Sequence, residues 1–214
     1  MKVTRAQSEE NRQKVIAAAS RLFRERGFDG IGLSDLMGAA GLTQGGFYKK
    51  FESKEDLATK ACASALDRSR VRWARIVARA REKPFAALVR AYLSARHRDD
   101  VGDGCAFAAL GSDVARHNAG LRQVFEKEIE AQLDFLDHLI SDTPDAATRD
   151  QSIAALSTMV GALLLSRVAT SPALSKRFLD ASANAVVMRS DADGGRASPQ
   201  PAPPGRPTSR RARP

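Results

Sequence analysis

Between residues 33 and 54 the chain gathers side chains suited to gripping a polyanion, not to making or breaking covalent bonds. Gln44 carries an amide that can pair with a base edge, and Tyr48 a hydroxyl that can bond a phosphate. Lys49, Lys50 and Lys54 add cations, and Ser34 and Thr43 further hydroxyls. Gly45 and Gly46 follow Gln44 directly. In a helix each glycine costs roughly 1 kcal/mol relative to alanine. Bare backbone has a use here, because main chain without a side chain can approach phosphates or base edges closely.

Such groups work only if something holds them in register. A helix-turn-helix does so with a support helix, a tight turn and a second helix in the major groove. Residues 33–40 read as the support, with Gly38, Ala39 and Ala40 small where helices must approach. Gly41-Leu42 reads as the turn: glycine for the reversal, leucine to plug the angle. Thr43 is expected to cap a second helix over residues 43–51, with Phe47 and Phe51 facing inward. Upstream, Val15, Ile16, Ala19, Leu22 and Phe23 mark one face of a first helix, expected over residues 8–26. Ser8 is its expected cap, Glu9 and Glu10 complement the dipole, and Gly27 is its stop.

The rest of the chain also reads as helix, and no strand pattern is visible. Ser53 with Asp56 forms a variant capping box, opening a helix that runs through Leu57, Ala61, Ala65 and Trp73 towards residue 81. Pro84 opens the next, carrying Phe85, Leu88, Val89, Tyr92 and Leu93. Residues 99–104 form a loop, followed by helices over 105–114, 121–140, 146–169 and 172–188. The expected fold is all-α, with the helix-turn-helix region over 1–52, a larger helical body over 53–189 and a tail over 190–214. That tail, rich in proline and arginine, cannot bury enough surface to offset its ordering entropy and is expected to be disordered.

A formal charge of +9 over 214 residues favours polyanionic partners, and a hydrophobic fraction of 43% suffices for a real core. Two isolated cysteines, Cys62 and Cys105, are too few for a disulfide framework or a zinc set. The N-terminal residues lack the apolar core of a signal peptide. The strongest apolar run, residues 159–165, is far short of the ~20 needed to span a bilayer, so a cytoplasmic protein without a membrane partner is expected. No phosphate loop, nucleophile elbow or paired catalytic carboxylates are present, which argues against an enzyme, and no cofactor is implied. His97, His117 and His138 have no partner at ligand spacing, so no metal is expected either.

The stretch from Leu33 to Leu57, LSDLMGAAGLTQGGFYKKFESKEDL, resembles the TetR family signature. Thr43, Gly45, Tyr48, Phe51, Ser53, Lys54 and Leu57 match it, as do residues 22–28 at the end of the first helix. Gly32 departs from the usual serine or threonine cap, Ser34 from a frequent arginine, and Lys50 from the common histidine. The resemblance implies a homodimer of about nine helices on palindromic operator DNA, with a DNA-binding domain over 1–52 and an effector-binding and dimerisation domain over 53–189, paired through its last two helices. It further implies a repressor that leaves DNA when a small molecule fills the body, coupling worth roughly 1–3 kcal/mol. A helical interaction protein with a degenerate motif is the alternative, with Gly32 and Ser34 its best support.

For the effector, Cys105 follows Gly104 at the start of a helix, where a positive dipole end favours thiolate. The stretch also resembles a subgroup of the family that includes the repressor of the N-ethylmaleimide reductase operon. There a cysteine after the same glycine senses electrophiles and oxidants, and Arg167 occupies the place of an assisting lysine. Free cysteine is also among the most buried residue types, so Cys105 is either a sensor or plain core. Trp73, Tyr92, Phe107 and Phe125 could line an effector pocket, or could simply be core aromatics.

Overall fold

The computed structural model describes residues 4–194, which form nine α-helices and one 3-10 turn, with no strand among them. A head consists of α1 (Arg5–Arg26), α2 (Leu33–Ala39) and the 3-10 turn (Gln44–Gly46). A body follows: α3 (Lys54–Arg79), α4 (Pro84–Tyr92), α5 (Ala95–Asp99), α6 (Ala106–Ala115), α7 (Ala119–Ile140), α8 (Ala146–Val168) and α9 (Pro172–Gly194). The all-α expectation holds.

Several ends differ from expectation, each for a local reason. Thr4, not Ser8, caps α1: its Oγ1 accepts the Gln7 N–H at 3.1 Å, starting the helix one turn earlier. Glu9 and Glu10 therefore sit inside the helix, engaged with Arg12, Gln13 and Lys14 on its surface. Gly27 ends α1 as expected, at φ 75° with its N–H on the Phe23 carbonyl. At α3 the Ser53 Oγ accepts the Asp56 N–H at 3.0 Å, while the Asp56 carboxylate reaches back to the Glu52 N–H at 3.2 Å. This is a capping box offset by one residue. The short α5 was not legible as a separate element; Ser94 caps it by accepting the His97 N–H. Cys105 is the cap of α6, not its first residue. The last helix runs on to Gly194, past the boundary at 190; the rest of the basic tail lies outside the described residues.

Two apolar clusters hold the molecule together. The first joins Val15, Ala19 and Phe23 of α1 to Leu36, Phe47 and Phe51 of the head, then continues through Leu57 and Ala61 of α3. It does not stop at the head, because Leu110 and Val114 of α6 and Leu121 and Phe125 of α7 belong to it as well. The second gathers Trp73, Leu88, Tyr92, Leu136, Met159, Leu163 and Leu179 in the body. Each large apolar side chain so buried contributes roughly 1.5–3 kcal/mol. The helix α3 serves both clusters, its first half in one and Trp73 in the other.

By length and hydropathy α8, 23 residues long, could cross a bilayer. Its packing is that of a core helix: Met159 and Leu163 are fully buried, and it lies along α9 and α7. The Ser175 Oγ donates to the Ser166 carbonyl at 2.6 Å, tying α9 to the end of α8. Ile153, Leu164, Leu165 and Val168 of α8, with Leu174 and Met188 of α9, remain exposed.

Candidate nucleic-acid interface and effector cavity

The turn after α2 is a complete Schellman motif. The Leu42 N–H bonds the Met37 carbonyl at 2.9 Å and the Gly41 N–H the Gly38 carbonyl at 2.9 Å. Gly41 sits at φ 72°, the left-handed conformation the motif demands. Leu42 packs against the head cluster, as the sequence suggested. Support comes from Leu36 and Met37, both fully buried. Gly38 and Ala39 are exposed, and no atom lies near a Cβ added at Gly38, so the expectation of close helix approach there is corrected.

The second helix is shorter than expected. Only Gln44–Gly46 is helical, as one 3-10 turn, and Phe47–Lys50 continue as turns closed by the Lys50 N–H and Phe51 N–H on the Phe47 carbonyl. Two adjacent glycines explain this, since they weaken helix propagation where it must start. Thr43 opens the turn through its carbonyl, which accepts the Gly46 N–H, but its side chain makes no capping bond and is exposed. Gly32 likewise precedes α2 without a side-chain cap.

The side chains divide cleanly. Phe47 and Phe51 point inward, with ring centroids 5.5 Å apart. Ser34, Thr43, Gln44, Gly45, Tyr48 and Lys49 are exposed on the other side, and Tyr48 is 73% exposed while its ring edge rests on Phe47. Lys54 is half-buried at the first residue of α3. Lys50 departs from this set: its Nζ donates to the Ser8 carbonyl at 3.2 Å, tying the segment to α1. A Cβ at Gly45 would meet nothing, and one at Gly46 only the Met37 Cε at 3.8 Å. Nothing in the fold itself requires either glycine.

In the body, Cys105 is buried at the centre of a polar cluster. Its N–H donates to the His97 Nε2 at 3.0 Å, so the ring proton resides on Nδ1 and donates to the Tyr92 carbonyl at 2.7 Å. Burial, with Arg167 and Arg72 nearby, pushes His97 down to about 4, keeping it neutral. The Tyr92 ring lies edge-on to both His97 and Trp73. Its buried hydroxyl has no hydrogen-bond partner, and burial followed by the neighbouring Cys105 thiol raises its pKa well above the usual phenol value. Arg167 donates from Nε to the Arg98 carbonyl and from Nη2 to the His97 carbonyl, both at 3.0 Å, leaving Nη1 buried and unpartnered. Gly104 is glycine for space: a Cβ there would stand 2.6 Å from the Asp100 oxygen and 2.8 Å from the Arg167 Nη2.

A cavity of about 520 Å³ opens beside this cluster, walled by Trp73, Ile76, Leu88 and Tyr92. Of the expected pocket residues, Trp73 and Tyr92 line it. Phe107 and Phe125 do not; they pair edge-to-face at 5.3 Å beneath a separate groove between α6 and α7. Sequence reasoning passed over His97 as a site residue and missed Arg24. The Arg24 guanidinium is buried, donates to the Gly102 carbonyl and faces Asp103 at 3.7 Å, holding the loop before Cys105 against α1. Burial, then Arg68, lowers it to about 10, so it stays charged. Its signal was available: Ile16, Ser20 and Arg24 fall four residues apart on the buried face.

The head thus presents an exposed loop-and-turn face in a helix-turn-helix arrangement, mounted on a helical body that holds a cavity. Residues 15–61, which span most of the head and the start of α3, match the family model described as bacterial regulatory proteins, tetR family. A search of curated proteins gives no match. Among solved structures, a TetR-family transcriptional regulator from Cytophaga hutchinsonii superposes with a TM-score of 0.73 at 20% identity, covering 88% of this chain and 98% of that one. A TetR transcriptional regulator from Chloroflexus aurantiacus gives 0.72 at 26% identity, covering 86% and 95%. The reduced form of E. coli NemR gives 0.71 at 20% identity, covering 84% and 97%. These likenesses show a TetR-like fold over most of the chain.

Proposed function

We propose that the protein is a transcriptional repressor that binds palindromic operator DNA as a homodimer in the cytoplasm and lets go when an effector reaches its body. The observation that carries this reading is the pair Gly45 and Gly46. They are held at a cost to local structure, with no atom of the protein needing their space. An outside partner that must approach the backbone accounts for them. Gln44 is then placed for base contact, and Ser34, Thr43, Tyr48, Lys49 and Lys54 for phosphates; Lys50 works by fastening the segment to α1. The exposed apolar residues of α8 and α9 support pairing through those helices, because solvent-facing leucine, valine, isoleucine and methionine side chains on two packed helices favour a mate.

Salt-dependent binding to duplex from immediately upstream of the coding sequence tests the core of this. We expect a clear preference over random duplex of equal length, with affinity falling steeply as salt rises. Equal binding to both would leave only the degenerate-motif reading.

Cys105 is the favoured receiver of an electrophilic or oxidising signal. Its support is the unpartnered Tyr92 hydroxyl and Arg167 Nη1 around the thiol, and the direct path from Cys105 through Gly102 to Arg24 of the head. Because Cys105 is only 5% exposed, modification requires local opening. Cys105→Ser should abolish release of DNA by N-ethylmaleimide while leaving DNA affinity intact. Unchanged release in that variant returns Cys105 to the core.

A further inference from the structure

The cavity beside Trp73 has a charge arrangement from which the chemistry of an occupant follows. Arg72 and Arg96 stand at its rim with Asp100 and Asp103. Both acids are already engaged within the protein. Asp103 faces the buried Arg24, and Asp100 accepts the Asp103 N–H at 3.2 Å and lies within reach of Arg167. The guanidinium groups of the two arginines make no ion pair or hydrogen bond among the described residues. Arg24 and Arg68 add further positive charge behind Arg72, and the His97 ring on the same wall is neutral. The opposite wall is apolar and aromatic. Between them stands Tyr92, which lines the cavity and is 3% exposed; its hydroxyl is buried beside Cys105 and Arg167.

We infer that this cavity binds a small organic carboxylate with an apolar body. The body lies against Trp73, Ile76, Leu88 and Tyr92, and the carboxylate meets Arg72 and Arg96. A volume of about 520 Å³ falls within the ~300–1,000 Å³ of typical ligand sites. A cationic ligand would meet two unpaired arginines and no unengaged carboxylate; a neutral one would leave the arginines unused. The assignment deepens the reading of the chain as an effector-released regulator and rests on it only for the consequence on DNA.

Trp73 is the single tryptophan of the chain, so its fluorescence reports occupancy directly. Phenylbutyrate, phenylbutanol and phenylbutylamine share one apolar body and differ in head charge. Titration with the acid should give a saturable change in Trp73 emission, with affinity at least tenfold above the alcohol and higher still above the amine. That preference should narrow with salt and disappear in Arg72→Gln, an exposed position whose replacement leaves the core untouched. Equal binding of the alcohol, no saturable change with the acid at millimolar concentration, or a preference kept in Arg72→Gln would each overturn the assignment. Operator release is read separately in the same titration. Acid binding without release upholds the ligand class and removes the effector role.

Discussion

Two glycine pairs, one in the head and one in the body, stand in opposite circumstances. Gly45 and Gly46 have open space where side chains would go. Gly102 and Gly104 have none: a Cβ at Gly102 would collide with Glu25 and Arg21 of α1, and one at Gly104 with the Asp100 carbonyl and Arg167. The body pair is explained from inside the molecule, by a single loop wedged between α1 and α8. The head pair is explained only from outside. The polar groups divide in the same way, with Gln44, Tyr48 and Lys49 turned to solvent, and His97, Tyr92 and Arg167 folded inward. The head face thus keeps its polar groups unspent, whereas the cluster around Cys105 spends most of its hydrogen bonds on itself and leaves a few open.

The largest effect on this contrast should come from Gly104→Ala. Overpacking against backbone and a half-buried guanidinium should cost about 2–3 kcal/mol, read as a lower urea midpoint at unchanged slope. An unaltered midpoint would mean that the loop yields freely. Next comes pH. His97 is held neutral in the fold at about 4 against an ordinary 6.5, so the unfolded chain binds its proton first as pH falls. Stability should therefore be full above 6.5 and decline between 6.5 and about 4, by on the order of 2 kcal/mol. His97→Gln should flatten that slope; a slope equal to that of the parent protein would place its origin elsewhere.

The head should respond in the reverse sense. Gly45→Ala should leave stability equal or raise it by up to about 1 kcal/mol, yet weaken operator binding roughly tenfold, about 1.4 kcal/mol. A gain in both would remove the close-approach argument. The smallest change expected is Tyr48→Phe, a loss of about 0.5–1.5 kcal/mol in affinity that is equal across DNA sequences, because a phosphate contact carries no base preference. Gln44→Ala, by contrast, should alter which bases are preferred, measured by binding to single-substituted operators.

The helices were legible because their apolar periodicity is strong, and the turn was legible because Gly41 and Leu42 are the residues a Schellman motif needs. The second helix was overextended: its inward phenylalanines were visible, but the effect of adjacent glycines on a helix only a few residues long was underweighted. Lys50 looked like its neighbour Lys49, and only the tertiary position of Ser8 separates them. In the body, Cys105 and Arg167 were placed together on the strength of resemblance, and the fold does bring both around Tyr92. His97 gave no signal, because its partners are main-chain groups of residues 92 and 105, which sequence spacing does not reveal. Phe107 and Phe125 have the same aromatic character as Trp73 and Tyr92, and only their three-dimensional placement assigns them to another groove.

The first apolar cluster, which runs from α1 through α3 into α6 and α7, bears on how such a protein can change its target. A head fused onto a foreign body by joining at residue 52 would bring Phe23 and Phe28 against strangers. Leu110, Val114 and the His117 ring that Phe28 meets edge-on at 4.8 Å would stay behind. Exchange of DNA specificity by recombination is therefore disfavoured at that joint. New operators are more readily reached by substitution at Gln44 and its exposed neighbours, which the packing leaves unconstrained.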